Sequence, residues 1–239
     1  MRSETKEILK TITTATITMQ LLKRGVKNAY MRGVRALNPM PVGERMVGVA
    51  YTVRFIPMRE DLFDLSLLGS PENMARRAIE ECPTGGVMVI DARGEADCGT
   101  YGDILATRLK VRGVEGVVTD GGVRDAVEIG EIGLPSFAAG PAAPASPTAH
   151  VPVGLNEPVA CGGVAVYPGD IIVGDSDGVV VIPPALADEV ARDGAEQDGI
   201  ENFIQKLVAS GRPVIGTYPP DDGIRKEYAD WVAAGKPDL

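Results

Sequence analysis

Between Gly85 and Gly133 the chain passes twice from a short apolar run into an amphipathic one, with glycine at each junction. "GGVMVIDA" (85–92) and "VEGVVTDG" (114–121) are brief runs rich in β-branched residues. "TYGDILATRLKVRG" (100–113) and "RDAVEIGEIG" (124–133) carry apolar residues at helical intervals. Successive strands separated by a helix are joined in parallel, because a parallel pair needs a long crossover and a helix supplies it. The expectation is therefore an α/β fold built on a parallel core.

The flanks extend this pattern. "ERMVGVAYTVRFIP" (44–57) reads as a strand stopped by Pro57. "SPENMARRAIEEC" (70–82) predicts a helix with Ser70 as N-cap, Pro71 at the first helical position and Glu72 in the first turn. At the amino end, "SETKEILKTITTATITMQLLKRGV" (3–26) spaces Ile8, Leu9, Ile12, Ile17, Leu21 and Leu22 as a helix would, with a break near Thr13–Thr16 and a stop at Gly25. "LPSFAAGPAAPASPTAHVPVG" (134–154) reads as an extended connection. "PVACGGVAVYPGDIIVGDSDGVVVIP" (158–183) reads as short strands parted by Gly, Pro-Gly and Asp-Gly turns, and 184–211 as a long amphipathic helix before a Pro-rich end. A length of 239 residues suits one large domain with extensions, and 44% hydrophobic residues suffice for its core.

Charge and cysteine usage exclude several classes. The net charge is −9 and no basic run exceeds two residues, as in Arg76-Arg77, which argues against a nucleic-acid partner. Cys82, Cys98 and Cys161 lack CxxC spacing and read as buried thiols in a reducing compartment. No apolar stretch reaches the roughly 18 residues of a membrane span, and "MRSETKEILKTI" has no apolar signal core, so a cytoplasmic protein without membrane contact is expected.

The motifs of many catalysts are missing too. There is one histidine, His150, and no HExxH or GxGxxG, so a His-based triad is not expected; His150 reads as structural or exposed. "GDSDGVV" (174–180) lacks the spacing of a calcium loop and reads as an Asp-Gly hairpin. What remains lies around residues 91–125. Gly99 and Gly102 form a flexible loop feeding the start of a helix at Asp103-Ile104-Leu105, where unpaired amides can face an anion. Asp103 is either the N-cap of that helix or a polar group turned to substrate or water. Arg124 and Asp125 follow a strand. An exposed ion pair at a helix start accounts for them; so does one site in which a guanidinium holds a carboxylate and an aspartate holds a hard cation. The residues alone leave both readings open.

The stretch from "GTYGDILATRLKVRGVEGVVTDGGVRD" (99–125) through "CGGVAVYPGDIIVGDSDGVVVIP" (161–183) resembles the RraA-like family, in which metal-dependent 4-hydroxy-4-methyl-2-oxoglutarate / 4-carboxy-4-hydroxy-2-oxoadipate aldolases stand beside non-catalytic regulators of ribonuclease E. The resemblance implies a swivelling β/β/α domain over 1–239, with its core at about 10–205, an N-terminal helical extension and a C-terminal helix and tail at about 184–239. It implies a homo-oligomer, trimer or hexamer, with sites near subunit boundaries. It gives Arg124 the substrate carboxylate, Asp125 a Mg²⁺ or Mn²⁺ ion, and the loop at Gly102, Asp103, Ile104 and Leu105 the pyruvyl group of a small 2-oxo-acid substrate. The implied reaction is class II retro-aldol cleavage to pyruvate, with oxaloacetate decarboxylation through the same enolate. Asp103, a water, or Glu196 or Glu201 of a neighbouring subunit would serve as base.

Two features depart from the family pattern. "TITMQLL" (16–22) puts Met19 where many relatives carry an acid, and "RFIPMREDLFDLSLLGSPEN" (54–73) is long and charged enough to reshape the pocket mouth. A regulator that occupies a ribonuclease, and a lyase or hydratase of sugar-derived 2-keto acids, are the alternatives. Asp125 speaks for an enzyme, because a regulator has no use for a metal carboxylate beside the arginine.

Overall fold

The computed structural model describes residues 1–41, 43–62 and 64–237. In chain order the elements are α1 (Ser3–Leu9), α2 (Thr14–Lys23), β1 (Arg35–Ala36), β2 (Met46–Pro57), α3 (Met74–Glu81), β3 (Gly86–Asp91), α4 (Asp103–Val111), β4 (Gly116–Thr119), β5 (Gly122–Val123), α5 (Ala126–Ile132), β6 (Ser136–Ala138), β7 (Gly140–Pro141), β8 (His150–Leu155), β9 (Val159–Cys161), β10 (Val164–Val166), β11 (Ile171–Asp175), β12 (Gly178–Ile182), α6 (Ala187–Ala209) and α7 (Asp222–Ala233).

The parallel core is there: β2, β3, β4 and β6 run side by side in parallel, with crossovers through α3, α4 and α5. The main sheet is ordered β1-β6-β4-β3-β2-β11-β12, and β8 lies along the second half of β2. Its two edges are drawn together by one stretch of chain. Met31 N–H donates to Val179 C=O and Val181 N–H to Ala29 C=O, both at 2.9 Å, and the same stretch then enters β1, which pairs with β6. The sheet thus wraps almost into a barrel, leaving little open edge for another chain to pair with.

The period of two along each strand sorts the side chains. Val87 and Val89 of β3 face the barrel interior with Met46, Phe137 and Ile172, while Met88 and Ile90 face a helical layer. That layer, α3, α4 and α5, covers the outer face of β3 and β4. A second layer, α1, α2 and α6, covers β11, β12 and the first half of β2. The outer face of β2 changes partner partway along: Val47 packs under the second layer, Tyr51, Val53 and Phe55 under the first.

Several expectations need correction. The third helix begins at Met74, because the Asn73 side chain accepts the Arg76 N–H at 3.2 Å and takes over capping. Ser70, Pro71 and Glu72 instead form a turn closed by Asn73 N–H on Ser70 C=O. The Thr run breaks the N-terminal helix slightly earlier than expected, with Thr13 capping α2 through Thr16 N–H. The segment 134–154 is more than a connection: it contributes β6 to the parallel sheet and β8 to the edge of β2, in pieces too short or too Pro-rich to show alternation. The Pro-rich end holds α7, capped by Asp221, whose Ile224 packs on Phe203 and Leu207 of α6. All three cysteines are free and buried. Among the described residues, no helix is long and apolar enough to cross a membrane.

Candidate active site

The loops at the carboxyl ends of the parallel strands, where α/β proteins collect ligands, lie against one another. Gly99 bridges Gly122, Thr100 N–H donates to Gly122 C=O at 2.9 Å, and Arg124 N–H donates to Tyr101 C=O at 3.0 Å. The glycine loop is thus stitched to the segment that carries Arg124 and Asp125. Its glycines serve close approach rather than flexibility: a Cβ at Gly99 would strike the Arg124 side chain, and one at Gly102 would lie 2.5 Å from Asp125 Oδ2.

Above this seam is a cavity of about 540 Å³, within the usual size of small-molecule sites. Gly102, Asp103, Ile104, Leu105, Arg124 and Asp125 all line it, so the structure gathers every residue singled out in the sequence for substrate or metal. Arg124 and Asp125 do not pair with each other, and neither side chain bonds another described residue. An ion pair closed on itself is therefore not the reason for their adjacency. Asp125 sits at the N-cap of α5 with φ 55° and ψ 43°, the left-handed region that Asp tolerates better than most side chains, and makes no capping bond. The conformation turns its carboxylate toward Gly102 rather than onto its own helix.

Asp103 is not the N-cap of α4. Gly102 occupies that position with extended backbone, and Asp103 is the first helical residue, its carboxylate accepting the Ile104 N–H at 2.7 Å. The Ile104 amide is thereby taken. The Asp103 and Leu105 amides have no acceptor among the described residues and are the ones free to meet an anion.

Other residues at the cavity were not singled out. Glu128, in the first turn of α5, and Arg76, in the first turn of α3, add a carboxylate and a second guanidinium. His150 lies in the wall but is fully buried, its ring 4.7 Å from that of Phe55 and both ring nitrogens without a hydrogen-bond partner among the described residues. Burial, and then the nearby Arg93 charge, lowers its pKa and keeps it neutral. No signal in a single sequence marks these residues, since their approach depends on how α3 and β8 pack.

Some sequence candidates lie elsewhere in the chain. Glu196 and Glu201 of α6 line a separate groove beside α2, and Met19 lines another with Leu22 and Tyr30. "GDSDGVV" is the β11–β12 hairpin; Asp175 accepts Thr14 N–H at 2.8 Å and Thr14 Oγ1–H at 2.7 Å. The long 54–73 segment does shape the mouth, through Met58, Leu68 and Asn73; its Phe63 lies outside the described residues. No group of three or more His, Cys, Asp or Glu side chains converges on a cation position among the described residues. A divalent ion of the Mg²⁺ kind asks for less, one carboxylate with waters and substrate oxygens completing the shell, and the unbonded Asp125 carboxylate fits that demand.

Comparison with known proteins agrees with this architecture. The model of the family described as RraA-like: Aldolase/RraA matches residues 14–181. A protein of Halalkalibacterium halodurans named "Putative 4-hydroxy-4-methyl-2-oxoglutarate aldolase" is 30% identical over 183 residues, covering 76% of this chain and 80% of that one. The crystal structure of Streptomyces coelicolor RraAS2, described as an unusual member of the RNase ES inhibitor RraA protein family, superposes with a TM-score of 0.75 at 32% identity, covering 86% of this chain and 97% of the other. An uncharacterized Pseudomonas syringae protein superposes with a TM-score of 0.77 at 25% identity, covering 91% and 98%.

Proposed function

Because the chain belongs to the RraA-like family, we propose that it is a divalent-metal-dependent lyase that cleaves a 4-hydroxy-2-oxo acid to pyruvate and decarboxylates oxaloacetate at the same site. The observation that carries this reading is the unpaired Arg124–Asp125 couple facing one cavity across from the free amides at the start of α4. The aldolase name of the Halalkalibacterium relative supports it.

In this reading the Arg124 fork holds the carboxylate of the 2-oxo acid through two hydrogen bonds. The Asp103 and Leu105 amides face the same end of the substrate, aided by the positive end of the α4 dipole. A Mg²⁺ or Mn²⁺ ion held by Asp125 supplies Lewis-acid stabilisation of the negative charge that develops on oxygen. The C4 hydroxyl proton leaves to a base as the C3–C4 bond breaks, and the electron pair stays on the pyruvyl fragment. Asp103 is the candidate acceptor from this chain, already fixed in direction by the Ile104 N–H. Tyr101 and His150, both buried, add apolar ring surface to the lining of the same cavity.

The test is enzyme-coupled detection of pyruvate from 4-hydroxy-4-methyl-2-oxoglutarate and from oxaloacetate, with and without Mg²⁺ or Mn²⁺. Turnover lost on chelation and restored by metal is expected; turnover indifferent to chelator ends the proposal. The assembly belonging to this reading is a homotrimer or hexamer, read by light scattering. The likeness to RraAS2 favours one competing reading, a non-catalytic ribonuclease regulator. It predicts no pyruvate under any condition and inhibition of an E-type ribonuclease that survives loss of Asp125.

A further inference from the structure

The cavity carries one guanidinium more than a single substrate carboxylate requires. Three acids, Asp103, Asp125 and Glu128, line it with two arginines, Arg124 and Arg76, in a protein of net charge −9. Arg124 has its place in the reading above. Arg76 has none yet, and it is unlike its neighbours. Arg77 closes on Glu81 at 2.8 Å, and Arg108 of α4 and Arg112 just past its end both reach Glu80 of α3. The Arg76 guanidinium has no ion pair or hydrogen bond among the described residues.

Its position is also costly for the helix that carries it. Arg76 is the third residue of α3, and the first turn contains no acid, since Glu72 lies before the helix in the turn closed by Asn73. The amino end of a helix favours anions and disfavours a cation. A free guanidinium there, facing a cavity, is explained by a ligand anion rather than by helix stability.

We propose that Arg76 is the second anion clamp of this site, holding the distal carboxylate of a dicarboxylic 2-oxo acid whose C1 carboxylate rests on Arg124. The inference depends on the lyase reading and adds its specificity-determining residue. A dianion entering beside three carboxylates needs a second cationic contact, and a planar fork meets a carboxylate in two parallel hydrogen bonds. Arg76 stands on α3 while Arg124 stands on the β5–α5 turn, so the two clamps reach one cavity from different elements. Substrate discrimination then resides in α3, and the chemistry in the turn before α5 and the start of α4.

The experiment compares two substrates that release pyruvate by the same bond cleavage. One is 4-hydroxy-4-methyl-2-oxoglutarate; the other is 4-hydroxy-2-oxopentanoate, which lacks the distal carboxylate. Wild-type protein is expected to prefer the dicarboxylate. In Arg76→Gln its kcat/KM should fall about 10- to 100-fold, chiefly through KM, while the monocarboxylate loses less than about threefold. Arg76→Lys should recover part of the preference, which a purely structural role would not require. Equal losses on both substrates, or no loss on the dicarboxylate, overturn the assignment of Arg76 and leave the lyase reading standing. Wild-type protein that releases pyruvate from neither substrate overturns both.

Discussion

The side of the barrel covered by α1, α2 and α6 and the side where α4 and α5 begin treat polar groups in opposite ways. On the first, nearly every polar side chain near the core has a partner. Asp175 holds Thr14 through backbone and hydroxyl, Asp198 takes the Thr16 hydroxyl at 2.5 Å, and Arg24 reaches Asp193 and Glu189. On the second, Arg76, Arg124, Asp125 and Glu128 surround a cavity and bond nothing among the described residues. Both sides pack on strands of one sheet, so the contrast is not between a tight and a loose part of the molecule. Satisfied groups hold elements in place; groups exposed at a cavity without a protein partner are available to a ligand.

The sharpest way to break this comparison is Asp125→Asn, which keeps the shape and tolerates the left-handed backbone. Pyruvate release should fall by about 10³-fold, roughly 4 kcal/mol of transition-state stabilisation, with the urea midpoint nearly unmoved. A variant within tenfold of wild type would make the aspartate an onlooker. Arg124→Lys comes next: kcat/KM should fall by about 10- to 100-fold, mostly in KM, because a point charge replaces a fork. A change confined to kcat would move Arg124 from binding to the chemical step.

The satisfied side should answer in the other currency. Asp175→Ala leaves the buried Thr14 amide and hydroxyl without their acceptor and should cost about 1–3 kcal/mol of stability by urea unfolding. Its effect on kcat should be small. A variant that kept its stability and lost its activity would erase the distinction between the two sides.

The smallest effect belongs to His150. Its folded pKa is lowered by burial, so as pH falls below the ordinary histidine value near 6.5 the unfolded chain takes up a proton first and wild-type stability declines. The loss approaches about 1.4 kcal/mol per pH unit at most and stops once pH passes the folded value. In His150→Leu that component of the slope between about pH 7 and pH 5 should vanish. Asp120 and Asp170, whose pKa values burial raises, act with the opposite sign in both proteins and cancel in the difference. Identical slopes would mean that His150 is not shielded from solvent.

Much of the fold is legible in the sequence. The parallel core followed from the spacing of short β-branched runs and glycine-closed helices, because periodicity reports which face each residue buries. Arg124, Asp125 and the 102–105 loop stood out because strand ends and helix starts are local features. The start of α3 was misplaced because Ser70 and Asn73 are both good caps, and the competition was decided by the turn at Pro71. Strand β6, three residues long, was invisible because pairing with β4 rather than its own pattern makes it a strand.

Residue order by itself thus determined the fold class and singled out Arg124 and Asp125, while leaving open whether they form an ion pair or one site. Only the tertiary structure decided that those groups stay unpaired among the described residues, that Gly99 and Gly102 are there to let two loops touch, and that Arg76 and His150 line the same cavity. The reason is physical: hydrophobic period and capping act over a few residues and are written locally. The absence of a partner, and the meeting of α3, β8 and α4 around one space, are properties of distant segments that exist only once the sheet has closed.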